Sequence, residues 1–362
     1  MAASSSSRIE KRTNGGLTWS YVPITINPKE LLSSFRTHLC PLLRWGQEEE
    51  LSTKEFTDGI TNTLIGVYRR DRGKDDMVLI RFNGQDTEIM IDRVREITTM
   101  LLLSDLRLST KLHCQFDNGI AYGYVPGRPV TIDEMSDPAM CRRIAKTLAR
   151  FHKVQVPESL SNGKSRLLNE FFTWFDKIPD TYSKDEDNEK YLRSFGGSTD
   201  PLKREVEELT IELEKLSSPL VLCHNDLLCG NIIYNEEEDN VSFIDFEYAG
   251  LNPRAYDIAD HFCEFVGIDI KDIDYTKYPG EELQKKWLRM YLTELKGTSD
   301  ISDTDLHQLY REVNKYALAA HLMWTIWGLI QASIATIDFD YLTYSSVRYN
   351  EYLAKKEHFL SL

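Results

Sequence analysis

The run "CHNDLLCGNIIYN", Cys223 to Asn235, holds an aspartate and an asparagine in D-x-x-x-x-N spacing, Asp226 and Asn231. A second apolar run, Val241 to Ile244, ends in Asp245, Phe246 and Glu247. Phosphoryl transfer needs such a set. One carboxylate orients or deprotonates the attacking hydroxyl, while a second carboxylate and an amide oxygen hold magnesium against the phosphates. D-x-x-x-x-N followed by a strand-borne D-F is the kinase order. Asp226 is then the base, Asn231 and Asp245 are metal ligands, and His224 braces the loop through hydrogen bonds. Asp and Asn are also common turn residues for local reasons, so a single pair would carry little. The ordered set His-Asn-Asp, Asn and Asp-Phe-Glu carries the reading.

Rigid elements must position these groups. Leu220 to Cys223 and Ile232 to Tyr234 read as strands on either side of the loop. Upstream, Thr61 to Arg70 and Met77 to Phe82 read as a hairpin around "DRGKDD". "KLHCQF" and "GIAYGYV" form another strand pair, joined at Asp117 to Gly119, and Asp92 to Leu103 has helical periodicity. "INPKELLSSFRTHL" reads as a helix, with Asn27 as cap, Pro28 at the first helical position and Glu30 at capping-box spacing. "VPGRP", Val125 to Pro129, breaks the pattern. Beyond it helices dominate, among them "PAMCRRIAKTLARFHKV" and "DPLKREVEELTIELEKL", with "SKDEDNEK", Ser183 to Lys190, as a surface loop. The expected architecture is α+β and two-lobed. A disordered tail covers residues 1–22, a small β-rich nucleotide-binding lobe 23–124, and a large, mainly helical catalytic and substrate-binding lobe 125–362. A cleft between two such lobes is a common ligand site.

Composition narrows the class. The 362 residues are 41% hydrophobic and 28% charged, which fits a soluble globular chain able to bury a sizeable core. A formal net charge of −14 argues against nucleic acid as a partner, since phosphate-backbone binding needs clustered Lys and Arg. The six cysteines are scattered, with no CxxC pair and no zinc spacing around Cys223 and Cys229, and the Ser-rich start has no apolar signal segment. Free thiols in a reducing, cytoplasmic compartment are expected.

"HNDLLCGN" followed by "IDFEY" resembles the choline/ethanolamine kinase family, whose fold is protein-kinase-like. The likeness extends through "GITN" at Gly59 to Asn62, "VLIRFNG" at Val78 to Gly84, "YDIADHFCEF" at Tyr256 to Phe265 and the helix holding "HLMWTIWGLI". "DGITN", "LCHNDLLCGNIIYN" and "HFCEFVGIDIKDIDY" are more similar to ethanolamine kinases than to choline kinases. The resemblance implies ATP and Mg2+ as cofactors and an amino alcohol as the small-molecule partner. It implies phosphorylation of the ethanolamine hydroxyl, the first step of phosphatidylethanolamine synthesis by the CDP-ethanolamine route. It also places Glu247 in the metal neighbourhood. No G-x-G-x-x-G loop is present, and Gly59, Thr61 and Asn62 would serve in its place. Arg81 stands where protein kinases use a strand lysine, with Glu96 as a candidate partner. Gly59, Thr61, Asn62, Arg81 and the hinge residues Tyr124 and Val125 are therefore the candidate nucleotide contacts. The absence of an A-P-E segment argues against a protein substrate.

An amino alcohol carries a cation at one end and a hydroxyl at the other. Trp324 and Trp327 share a helix face, and aromatic faces attract ammonium groups. By resemblance Glu264, Trp324, Trp327 and Tyr344 surround the cationic head, and Tyr248 helps close the pocket around the substrate that Asp226 activates. Taken without the family, such a Trp pair is ordinary core packing. The uncharged run Tyr316 to Ile337 is long enough, roughly 33 Å, to cross a bilayer. Its His321, Gln331 and Ser333 and its acidic flank at Asp338 and Asp340 argue against a transmembrane span. The long helices after residue 300 offer a surface for a homodimer. The rival readings are a choline or dual-specificity kinase, an aminoglycoside-type phosphotransferase and a catalytically inactive nucleotide-binding scaffold. The scaffold is disfavoured because the base and metal residues are all present.

Overall fold

The computed structural model describes residues 9–56, 62–74, 76–84, 87–161, 163–267, 269–335 and 337–362. The chain divides into two compact units, Met1–Gly127 and Arg128–Leu362.

The first unit is built on one seven-stranded sheet. Its strands are β1 (Glu10–Asn14), β2 (Leu17–Val22), β3 (Leu51–Phe56), β4 (Thr63–Arg69), β5 (Val78–Phe82), β6 (Leu112–Phe116) and β7 (Gly119–Gly123). They lie in the order β1-β2-β6-β7-β5-β4-β3, all neighbours antiparallel except β2 and β6. The sheet corrects the expected tail, because residues 10–22 form an ordered hairpin. β1 is polar and lies on the outside, so it shows no apolar alternation. It is held by cross-strand contacts, with the Arg12 guanidinium 3.2 Å from the centre of the Tyr21 ring, while in β2 Trp19 Nε1 donates to Gln115 Oε1 at 2.9 Å.

Asn27 caps as the spacing predicts, its Oδ1 accepting the Lys29 N–H at 3.1 Å. The helix that follows is not continuous. α1 (Leu31–Ser34) runs into a widened turn, Phe35–Leu39, before α2 (Cys40–Leu43). Pro41 has no N–H to give to Thr37, and the Cys40 N–H reaches back to the Phe35 carbonyl instead. Phe35, Leu39 and Cys40 still join Val67, Ile80, Cys114 and Phe116 in one apolar core. α3 (Arg93–Asp105) begins at Asp92, whose carboxylate accepts the Val94 and Arg95 N–H groups at 3.1 and 3.0 Å.

The second unit is mainly helical: α4 (Pro138–Phe151), α5 (Arg166–Phe175), α6 (Asp185–Phe195), α7 (Asp200–Glu214), α8 (Arg254–Cys263), α9 (Glu281–Lys296), α10 (Asp303–Ile334) and α11 (Tyr341–Ser361). Two small sheets interrupt it. β8 (Arg128–Pro129), β10 (Ile232–Asn235) and β11 (Asn240–Phe243) form one; β9 (Leu220–Cys223) pairs antiparallel with β12 (Gly250–Pro253) in the other. The acidic stretch expected as a loop is the start of α6. Asp185, Glu186 and Asp187 sit in its first turn, where carboxylates favour the helix dipole, and Tyr191 and Phe195 bury one face.

α10 packs against α8 and α11. In its most apolar window 83% is buried inside the fold, so length and apolarity here describe a core helix. Gly328 lets α11 come close, since a Cβ there would run into Ser345 Oγ and lie 3.0 Å from the Tyr341 carbonyl oxygen. Gly328→Ala is expected to destabilise the protein by about 1–3 kcal/mol through overpacking, read from the urea midpoint.

Candidate active site

In the first unit, Arg81 on β5 and Glu96 on α3 form a buried ion pair of 2.5 Å. Arg93 holds the second carboxylate oxygen at 3.1 Å and donates to Thr87 Oγ1 at 2.6 Å. Burial alone would raise the Glu96 carboxyl, but Arg81 and Arg93 outweigh it and hold it below the ordinary range. The pair fixes the direction of the Arg81 guanidinium, a donor set suited to phosphate. Asn62 accepts the Gly84 N–H at 3.2 Å. Tyr124 and Val125 are half-buried; the Tyr124 N–H bonds the Met77 carbonyl at 3.1 Å and its ring lies 6.3 Å from Phe56. Gly59 and Thr61 lie outside the described residues.

In the second unit, β9 delivers the loop that holds Asp226. Asn225 has a left-handed backbone, φ 66°, which Asn tolerates better than most residues. Two backbone N–H groups, those of His224 and Asn225, point at Asp257 on α8, at 2.8 and 2.7 Å. Asp257 also accepts from His152 Nε2 at 2.9 Å, and His152 Nδ1 bonds the Tyr291 hydroxyl at 2.7 Å. The fully buried His224 ring is kept neutral by desolvation. Its Nε2–H donates to the Ile244 carbonyl at 2.9 Å, so it braces the loop as the sequence reading expects. Asn225 Nδ2 donates to the Tyr248 carbonyl at 2.8 Å, and Asn252 Nδ2 donates to Asn225 Oδ1 at 2.8 Å.

Sheet register brings the metal candidates to Asp226. Ile232 faces Phe243 across the β10–β11 hairpin, and the Ile244 N–H bonds the Asn231 carbonyl at 3.0 Å. Asn231 and Asp245 therefore flank the same end of the hairpin. Asn231 Nδ2 donates to the Asp226 carbonyl and to its Oδ2, at 2.9 and 3.1 Å, which leaves Asn231 Oδ1 for a cation. Asp245 is left-handed as well, φ 63°, the kind of backbone strain that collects at functional sites. Phe246 stacks on Phe151 with centroids 6.0 Å apart, which turns the chain so that Glu247 and Tyr248 are buried. Desolvation, then Asp260, Asp245, Glu264 and Glu247, push the Asp226 carboxyl well above the ordinary range. Carboxylates crowded together out of water fit a divalent cation; Asn231, Asp245 and Glu247 offer it hard oxygen donors.

The acceptor candidates cluster in the same unit. Trp324 and Trp327 are edge-to-face at 5.5 Å, Tyr248 lies 5.7 Å from Trp324, and Tyr344 lies 6.0 Å from Trp327. Trp327 Nε1 donates to the Tyr248 hydroxyl at 2.8 Å, and Trp324 Nε1 to Asp260 Oδ1 at 2.7 Å. Both indoles are thus held by their N–H groups, and the aromatic wall is continuous with the base loop. Glu264 is buried and bonded to Arg348 at 3.1 Å. Sequence reasoning missed Asp257, Asp260 and Arg348. Asp257 and Asp260 stand in the quoted "YDIADHFCEF", but an aspartate on a helix gives no sign of burial. Arg348 has no local signal, because its role depends on α11 coming beside Glu264, just past the end of α8.

Residues 53–353 match the family model described as choline/ethanolamine kinase. The Mus musculus protein named ethanolamine kinase 1 is 40% identical over 339 residues, covering 92% of this chain and 89% of its own length. Among solved structures, a Plasmodium vivax ethanolamine kinase superposes with a TM-score of 0.78 at 28% identity, over 91% of this chain and 89% of its own. A choline kinase from Cryptosporidium parvum superposes at 0.74 with 21% identity, over 92% and 96%. The match of the fold is that of a protein-kinase-like phosphotransferase. The Asp226 loop, the hairpin of oxygen donors and the aromatic wall thus stand in a chain that belongs to the choline/ethanolamine kinase family.

Proposed function

We propose that this protein is an ATP- and Mg2+-dependent ethanolamine kinase, converting ethanolamine to phosphoethanolamine as the entry step of phosphatidylethanolamine synthesis. The observation that carries the reading is the continuity of base and acceptor wall within one unit: Asn231 bonds Asp226 at 3.1 Å, and Asp260 bridges Leu227 to Trp324. Asp226 accepts the proton of the substrate hydroxyl. Asn231, Asp245 and Glu247 would hold the metal, which when bound neutralises phosphate charge. Arg81, steadied by Glu96, Asn62 and the segment holding Gly59 and Thr61 serve the nucleotide phosphates, with Tyr124 and Val125 toward the rest of the nucleotide. Tyr248, Glu264, Trp324, Trp327 and Tyr344 shape the ammonium pocket. Positioning and charge neutralisation supply most of the rate.

The relatives' names support ethanolamine over choline, as does a pocket with buried carboxylates, which suits a primary ammonium able to donate hydrogen bonds. A coupled ADP-release assay with ethanolamine, N-methylethanolamine and choline tests this. Ethanolamine is expected to show the highest kcat/KM, and EDTA to abolish turnover until Mg2+ is restored. A higher value for choline would replace the reading with choline kinase; no ADP release with any amino alcohol would remove it. A cytoplasmic location and a homodimer belong to the same proposal. All six cysteines are free and buried, as suits a reducing compartment, and Leu353 exposes apolar surface on α11. Light scattering of the purified protein reads the dimer.

A further inference from the structure

Glu264 is the carboxylate expected to meet the ammonium head, yet its charge already has a partner in the fold. Arg348 donates to it at 3.1 Å, and both side chains are buried. Asp260, one turn earlier on α8, is different. It is fully buried, and its oxygens accept the Trp324 Nε1–H at 2.7 Å and the Leu227 N–H at 3.3 Å. Both donors are neutral. Among the described residues no cationic side chain bonds Asp260; Arg348 reaches it only through space. An N–H donor on each oxygen is the pattern of a carboxylate, which only accepts, and neither donor can accept a proton from it.

The same surroundings make that charge costly. Burial, and then the charge of Glu264, push the Asp260 carboxyl well above the ordinary range. A cation against the Trp324 face relieves the cost. An indole whose N–H donates to a carboxylate holds more electron density on its ring. A cation over that ring feels both the ring and the anion behind it, in surroundings where water screens little. The Leu227 N–H then ties the same carboxylate to the residue beside the base.

We propose that Asp260 is the anionic determinant of the ammonium site, a positioning residue that acts on the substrate cation through Trp324. This rests on the reading of the protein as an amino-alcohol kinase. It differs from a direct pairing of ammonium with Glu264, because Arg348 balances that group.

The test compares wild type with Asp260→Asn, which keeps size, removes the charge and gives up the longer of the two contacts, since its NH2 then faces the Leu227 N–H. The KM for ethanolamine is expected to rise about tenfold, with the KM for ATP unchanged and kcat within about threefold. Calorimetric binding of ethylammonium and tetramethylammonium ions is measured in parallel, since it requires no turnover. Both ions are expected to bind more weakly to the variant. Trp324→Phe keeps a ring and removes the N–H, so it should raise the ethanolamine KM severalfold, and its effect should not add to that of Asp260→Asn. If Asp260→Asn does not fold, the KM of Trp324→Phe alone decides. A fall in kcat with KM unchanged would reduce Asp260 to a loop brace and overturn the proposal, as would equal cation affinity in variant and wild type. Failure of the wild type to turn over any amino alcohol would remove the kinase reading instead, while the cation titrations still decide the role of Asp260.

Discussion

Replacing Asp226 with alanine is expected to lower kcat for phosphorylation of the amino alcohol by about three orders of magnitude, with KM for ATP changed by less than about threefold. The size follows from what one positioned base contributes to proton transfer, and from the absence of a substitute in the right place. Asp245 and Glu247 are candidate metal ligands, and Asp260 is tied to Trp324 and Leu227. Asp226 is also the carboxylate that Asn231 orients, at 3.1 Å. Its carboxyl is raised by desolvation and by Asp260, Asp245, Glu264 and Glu247. Cations bound among those acids would lower it again and favour the base form in the loaded site. The acid-side limb of the wild-type kcat profile, in which rate rises with pH as a base loses its proton, is expected to vanish in Asp226→Ala. Single-turnover rates across pH check both statements. A variant keeping more than about a tenth of wild-type kcat would show that Asp226 is not the base.

The second large effect is on stability. Asp257→Ala is expected to destabilise the protein by about 3–5 kcal/mol, because it removes a buried carboxylate that three groups depend on. The His224 and Asn225 N–H groups, 2.8 and 2.7 Å from it, lose their partner out of reach of water. His152 loses the acceptor of its Nε2–H at 2.9 Å. Desolvation raises the Asp257 carboxyl, but the hydrogen bonds from His152 and the Asn225 N–H help to hold it below its usual range. Asp257→Asn is no rescue, since its amide NH2 would face a donor. Urea unfolding gives the loss, and kcat should fall with it, because the same two N–H groups hold the loop that carries Asp226. A change below about 1 kcal/mol would mean that the loop is held by other bonds.

The two effects differ in kind. Asp226 is half-buried and is held by a neighbour five residues on, so the role proposed for it shows in local spacing. Asp257 is fully buried, and it braces the loop only because α8 packs against β9.

That contrast describes the whole chain. Strand and helix periodicity or apolar runs located β4, β5, β6, β7, α3, α4 and α7, because each buries apolar residues along its own length. The D-x-x-x-x-N loop and the D-F-E strand end stood out because the phosphoryl transfer proposed here needs those residue types at short range. The β1–β2 hairpin was not, since β1 has no buried face and is held by residues far along the chain such as Gln115, which Trp19 of β2 bonds. Nor was α6, whose acidic first turn imitates a solvated loop until Tyr191 and Phe195 find a core. The uncharged stretch around Trp324 and Trp327 was readable as a membrane span, a core helix or an aromatic wall, and only burial between α8 and α11 decided for a core helix carrying that wall. Residue types alone named the carboxylates of the site. Which of them is balanced by Arg348, and which is left to a neutral indole N–H, depended on helices distant in sequence meeting in space, because charge pairing is set by distance and burial.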